Sequence, residues 1–151
     1  MISLIGLEAF KAFATLTLPL GRLTLLTGVN GAGKSSVIQA ILALRQSHEQ
    51  RQLEERRLVF NGELVQLGTA QDVLHDDPTV DRDSLQMVIK WDDGQHATWR
   101  FQYDSGRTSL TGSYEGIAIP WSRTPFASNF QYLAAERIGP RAWYGTNDDE
   151  V

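Results

Sequence analysis

The chain has 151 residues, 42% of them hydrophobic and 21% charged, the balance of a globular protein that makes one domain or part of one. Fourteen basic against eighteen acidic residues give a formal net charge of -4, so a domain that tracks phosphate backbones by itself is disfavoured and DNA binding is not supported by charge. No run reaches the roughly 20 apolar residues of a membrane helix, cysteine is absent, and MISLIGLEAF lacks the basic start and cleavage site of a secretory signal; the expectation is a cytoplasmic chain with no membrane partner.

The first 27 residues fall into three apolar pieces, ISLIGLEAF, FATLTLPL and LTLLT, broken by Lys11-Ala12 and Gly21-Arg22, which predicts three strands. TGVNGAGKSS follows, Thr27 to Ser36. KSSVIQAILALRQ then spaces Val37, Ile38, Ile41, Leu42 and Leu44 for a helix with a broad apolar face. The run RQSHEQRQLEERR, Arg45 to Arg57, has Leu53 as its one large apolar side chain and reads as a solvated helix face or linker. LVFNGELVQLG carries an Asn61-Gly62 turn, TAQDVLHDD a short helix, and DPTVDRD a polar connection. Residues 84–116 alternate strand-like runs with the turn candidates Asp93-Gly94 and Ser105-Gly106, the pattern of an antiparallel meander. NFQYLAA is a last strand candidate before ERIGPR and the polar end YGTNDDEV. The expected organisation is one lobe: strands, glycine loop and helix in 1–46, a mostly antiparallel β portion in 58–120, and a strand and loop in 129–151.

The glycine-rich stretch carries the chemistry. Gly28, Gly33, Lys34 and Ser35 occupy every fixed position of G-x-x-x-x-G-K-[ST]. Glycines at 28, 31 and 33 allow backbone conformations that turn successive N–H groups onto an anion, and the helix beginning at Lys34 adds its positive end. Lys34 has the reach and charge for the β and γ phosphates, the Ser35 hydroxyl is placed to ligate Mg²⁺, and Ser36 is one position on, toward the α phosphate. Asn30, Gly31, Ala32, Gly33, Lys34, Ser35 and Ser36 are therefore the expected ATP-binding residues, with Ser35 on the metal. No N-K-x-D motif reads a guanine, so ATP is the expected nucleotide.

LTLLTGVNGAGKSSVIQAILAL, preceded by LEAFKAFATLTLPLG, resembles the amino-terminal lobe of ABC-type ATPases related to SMC proteins, RecF and the OLD-like predicted ATPases. NGELVQLGTAQDVL and FQYLAAERIGPR are similar to predicted ATPases of the OLD-like kind, some of which belong to bacterial defence. The resemblance implies an α/β P-loop NTPase lobe with an antiparallel β subdomain, and an ATPase in which two heads sandwich ATP and part on hydrolysis. It implies a head-to-head dimer or a partner protein, and roles in DNA maintenance or phage defence. By position in that pattern, Lys11 either approaches the phosphates or is a surface residue, and Phe10 or Phe13 lies near the base or in the core.

Three parts of the family pattern are missing, one of them the signature loop that closes the partner's site. No acidic pair is read at the end of an apolar strand, where it would hold Mg²⁺ and activate water, and Asp148-Asp149-Glu150 reads as a solvated tail. Glu136 and Arg137 stand where a γ-phosphate-sensing glutamine would fall, as a sensor or as a salt-bridged pair. The chain is thus expected to be the front half of a longer ATPase, binding nucleotide weakly without hydrolysing it, with a non-catalytic nucleotide-sensing module as the alternative. His48, His75 and His96 have no metal-ligand spacing and read as surface or loop residues; the carboxylates at 72, 76, 77, 81 and 83 lack the pattern of a calcium loop. Trp91 and Trp99, flanking the Asp93-Gly94 turn, are expected to pair across strands.

Overall fold

Strand β1, Ile2–Phe10, turns back at Lys11-Ala12 into β2, Phe13–Pro19, with Gly6 opposite Thr17 and Phe10 opposite Phe13. The tight turn between the strands has no glycine, and Lys11 takes φ 46°, a left-handed value uncommon outside glycine. Two contacts from residues more than sixty positions away hold it: Lys11 N–H donates to Val73 O at 2.7 Å, and His75 Nδ1–H donates to Lys11 O at 2.7 Å. The computed structural model describes residues 1–76, 83–116 and 121–133.

Helix α1, Lys34–Glu49, follows the glycine loop, and β3, Arg57–Val59, and the four-residue α2, Ala70–Val73, come next. The meander is then β4, Ser84–Trp91, β5, His96–Gln102, and β6, Ser109–Gly116. Spatial order across the six-stranded sheet is β2-β1-β4-β5-β6-β3, and every neighbouring pair is antiparallel. Alternate residues of β4 and β5 (Leu85, Met87, Ile89 and Trp91; Ala97, Trp99 and Phe101) are buried and join Ala40, Leu42, Ala43 and Leu44 of α1 in one core.

The architecture corrects the expected one. An α/β P-loop NTPase lobe is built on parallel strands with crossover helices, whereas this chain folds as an antiparallel sheet with one 16-residue helix and one of four residues among the described residues. The expected third strand, Leu23 to Thr27, joins no ladder. After Leu20 N–H donates to Ser3 O the chain leaves the sheet at Gly21, and Leu23 and Leu25 stand 91% and 81% exposed. Apolar alternation supplies only one half of a strand; the other is a neighbouring backbone, and none of the described segments lies beside this one. The described part of NFQYLAA, residues 129–133, is likewise not a strand.

The polar run Arg45 to Arg57, which begins in the last turns of α1, is also more structural than its composition implies. Ser47 is fully buried: its hydroxyl donates to Ala43 O at 2.7 Å and accepts from Val59 N–H at 2.8 Å. The buried Gln46 carbonyl accepts from the N–H groups of Leu64 and Val65, both at 3.1 Å. These two side chains pin residues 59–65 to the helix, and Leu53 is buried beside them. Trp91 and Trp99 do not face each other: Met87 is opposite Trp99, while Trp91 Nε1–H donates to Thr124 O at 2.9 Å.

Residues 121–130 form a strap across the end of α1. Arg45 Nη1 donates to Pro125 O and Ala127 O at 2.9 and 2.7 Å, Arg123 pairs with Asp93 at 2.6 Å, and His48 stacks on Trp121 with centroids 4.3 Å apart. Burial, with help from Arg45, pushes the His48 pKa below its ordinary 6.5, against smaller opposing effects of Glu54 and Glu49. A histidine that resists protonation when folded makes the unfolded chain the better proton acceptor. Its contribution is therefore complete above the ordinary histidine range and is lost as pH falls through and below about 6.5. Urea midpoints at pH 7.5 and 5.5 should fall further in the wild type than in His48→Phe, which keeps the stack and cannot titrate.

Candidate functional site

Helix α1 begins at Lys34, directly after the glycine loop, although the expected strand before the loop is absent. Gly31 and Gly33 both take φ 85°, and Gly33 is the left-handed N-cap of α1. The first backbone bond of the helix is Val37 N–H to Gly33 O, 3.2 Å. The N–H groups of Lys34, Ser35 and Ser36 precede it, no side chain caps them, and no acidic residue stands in the first turn. A helix end left this way presents donors and positive potential to an anion.

Lys34 folds back over the loop, and Nζ donates to Gly28 O at 2.8 Å and Val29 O at 2.7 Å. An ammonium has three donors, so one is left for a phosphate oxygen while two hold the loop around the charge. Asn30, Gly31, Ala32 and Ser35 are exposed. Ser35 has its hydroxyl at the helix start, accessible to a hydrated Mg²⁺ carried by a nucleotide.

Phe13 of β2 is the floor. A Cβ on Gly33 would lie 2.4 Å from Phe13 Cζ and 3.0 Å from Ala12 Cβ, so the β1–β2 turn sets how the loop bends. Phe10, the other candidate for a base contact, is wholly buried in the core. Lys11 and Ser36 do come together: with Ala12, Gln71, Asp72 and Asp76 they line a cavity of about 490 Å³ beside the helix start. Sequence reasoning missed the α2 side of this cavity. The segment is delivered by the antiparallel bridge of Phe10 with Leu74 and by the Lys11–Val73 and His75–Lys11 bonds, long-range contacts with no local signature.

Asp72 is held firmly. Thr69 donates to its Oδ2 from both N–H and Oγ1 at 2.8 Å, a capping box at the start of α2. Those two bonds, and more weakly the Lys11 charge, keep its carboxyl below the usual carboxylate range.

An acidic pair does follow an apolar strand: Asp92-Asp93 comes directly after β4. It sits at the wrong end. Trp91 pairs with Ile2, whereas the loop lies against Phe13, beyond the Phe10 end of β1. At about 3.3 Å per residue the length of β1 puts roughly 25 Å between them. Both carboxylates are also engaged, Asp92 by the N-terminal ammonium at 2.8 Å and Asp93 by Arg123 at 2.6 Å. Among the described residues no group of three or more His, Cys, Asp or Glu side chains is gathered to hold a metal. Glu136, Arg137, Asp148, Asp149 and Glu150 lie outside the described residues, as do Asp77 and Asp81. No described helix is long and apolar enough to cross a membrane.

No protein-family model, curated protein or solved structure matches the chain.

Proposed function

We propose that residues 28–36 bind the triphosphate of ATP with Mg²⁺, and that the chain contributes this site to an ATPase similar to the SMC, RecF and OLD-like group. The observation that carries the reading is the conjunction at α1: an uncapped first turn, left-handed glycines at 31 and 33, and an ammonium held at the loop's centre by Gly28 and Val29 carbonyls. Loop and helix end are the parts that contact phosphate in such sites, and they do so through backbone donors that do not depend on the direction of a neighbouring strand.

Binding in the isolated chain is weak and hydrolysis does not follow. Activation of the attacking water needs a carboxylate near the γ phosphate. Asp92 and Asp93, the acidic pair that follows an apolar strand, are at the far end of β1 and already engaged by the N-terminal ammonium and Arg123. A second head or a partner protein supplies the rest, so nucleotide occupancy is coupled to association; a role in DNA maintenance or phage defence rests on the resemblance alone.

Titration of a fluorescent ATP analogue in the presence of Mg²⁺ tests this. A charge-assisted hydrogen bond contributes about 1.5–3 kcal/mol, so Lys34→Ala should weaken binding by roughly 10- to 150-fold without lowering the melting temperature. ATP should displace the analogue better than GTP. Equal affinity of wild type and Lys34→Ala would refute the phosphate assignment, and a steady Lys34-dependent turnover by the isolated chain would refute the statement on hydrolysis.

A further inference from the structure

The cavity beside the loop extends from Ser36 past the residues of the phosphate site, to Lys11, Gln71, Asp72 and Asp76. Ser36 is 7% exposed, lines the cavity, and its hydroxyl makes no hydrogen bond with the described residues. The cavity opens to solvent, where Gln71, Asp72 and Asp76 are exposed. Its volume, about 490 Å³, lies within the roughly 300–1,000 Å³ of small-molecule sites. Its polar lining is mixed, with Lys11, Gln71, Asp72 and Asp76 around Ser36.

Direction along a bound nucleotide follows from the loop. Lys34 Nζ, clamped by Gly28 and Val29, marks the β and γ end; the helix start at Ser35 and Ser36 marks the α end. Whatever is attached to the α phosphate therefore continues toward Ser36 and into the cavity. The next group is the sugar. Beyond Ser36 the cavity offers one cation, Lys11, and then Asp72, whose Oδ2 is fixed by Thr69 while its Oδ1 takes no hydrogen bond from the described residues. A carboxylate held in place with a free oxygen is the group that accepts hydrogen bonds from a vicinal diol, as acidic residues do at ribose in dinucleotide sites. Lys11 offsets the repulsion between that carboxylate and the phosphates.

We infer that the cavity formed by the β1–β2 turn, the start of α1 and residues 71–76 is a ribose subsite, in which Asp72 accepts a hydrogen bond from the sugar 2′-hydroxyl and makes the site select ribonucleoside over deoxyribonucleoside triphosphates. The inference rests on the proposed phosphate site, deepening it from a triphosphate socket to one that reads the sugar.

Calorimetric titration of the full chain with Mg²⁺ and three probes, ATP, 2′-deoxyATP and inorganic tripolyphosphate, separates the two. A hydrogen bond to a charged acceptor should make ATP bind about tenfold more tightly than 2′-deoxyATP. In Asp72→Asn, which keeps an oxygen for the Thr69 bonds, and in Asp72→Ala, that ratio should fall toward one, with tripolyphosphate binding retained in both. Equal binding of ATP and 2′-deoxyATP by the wild type would overturn the subsite while leaving the phosphate site standing, as would an unchanged preference in Asp72→Asn. Failure of tripolyphosphate and both nucleotides to bind would overturn the phosphate site and the subsite together.

Discussion

Replacing Gly33 with alanine should abolish measurable ATP binding and lower the melting temperature, the largest loss expected from removing no functional group at all. The residue stands at φ 85°, where an L side chain costs about 1–2 kcal/mol. Its new methyl would lie 2.4 Å from Phe13 Cζ and 2.9 Å from Cε1, so the ring or the loop must move. Forced displacement of a packed ring adds about 1–3 kcal/mol, and the path of least resistance is for the loop to lift off β2, which disperses the N–H groups of the first turn. Gly31→Ala is the control: it has the same φ but open space around a Cβ, so it should show the backbone cost alone and keep most of its affinity. Thermal unfolding and an ATP titration on both variants make the comparison. Similar behaviour of the two would contradict the role given to Phe13.

Trp99→Ala should cost the fold about 3–5 kcal/mol, a large share of the roughly 5–15 kcal/mol that stabilises an ordinary domain. Trp99 is wholly buried on the central strand β5, 5.7 Å from the Tyr114 ring and 5.8 Å from Phe126, so it ties the meander to the strap. Its indole N–H has no partner among the described residues. Trp99→Phe removes that orphan donor together with some volume, so it should cost far less than alanine. A denaturant midpoint for Trp99→Phe as low as for Trp99→Ala would show that the indole nitrogen is satisfied after all.

The elements made by neighbours in sequence were legible. Asp93-Gly94 and Ser105-Gly106 mark turns with Gly94 and Gly106 at φ 83° and 76°, and the strands around them alternate buried and exposed residues. Helix α1 begins at Lys34, where the phosphate-loop motif places it. What the sequence hid is what long-range partners decide. Leu23 to Thr27 reads as a strand because its residues suit one, yet a strand exists only beside another, and here the ladder continues from β1 to β4 instead. The α/β P-loop lobe is implied by a resemblance that rests chiefly on the loop motif, which is local and says nothing of strand direction. Gln46 and Ser47 look like solvated helix residues, since side-chain polarity cannot reveal that backbone groups of Val59, Leu64 and Val65 lie within reach. The same holds at the site: residues 28–36 were readable, whereas Gln71, Asp72 and Asp76 reach Lys11 and Ser36 only through the clamp on the β1–β2 turn.

The central claim is that phosphates sit on the uncapped start of α1. Backbone amide chemical shifts of the full chain, followed by NMR as ATP and Mg²⁺ are added, test it most directly. The largest changes should fall on Gly31, Gly33, Lys34, Ser35 and Ser36, and the amides of the Asp93-Gly94 turn at the far end of β1 should not move. Saturation with no change at the loop, or with the largest changes at another surface, would contradict it.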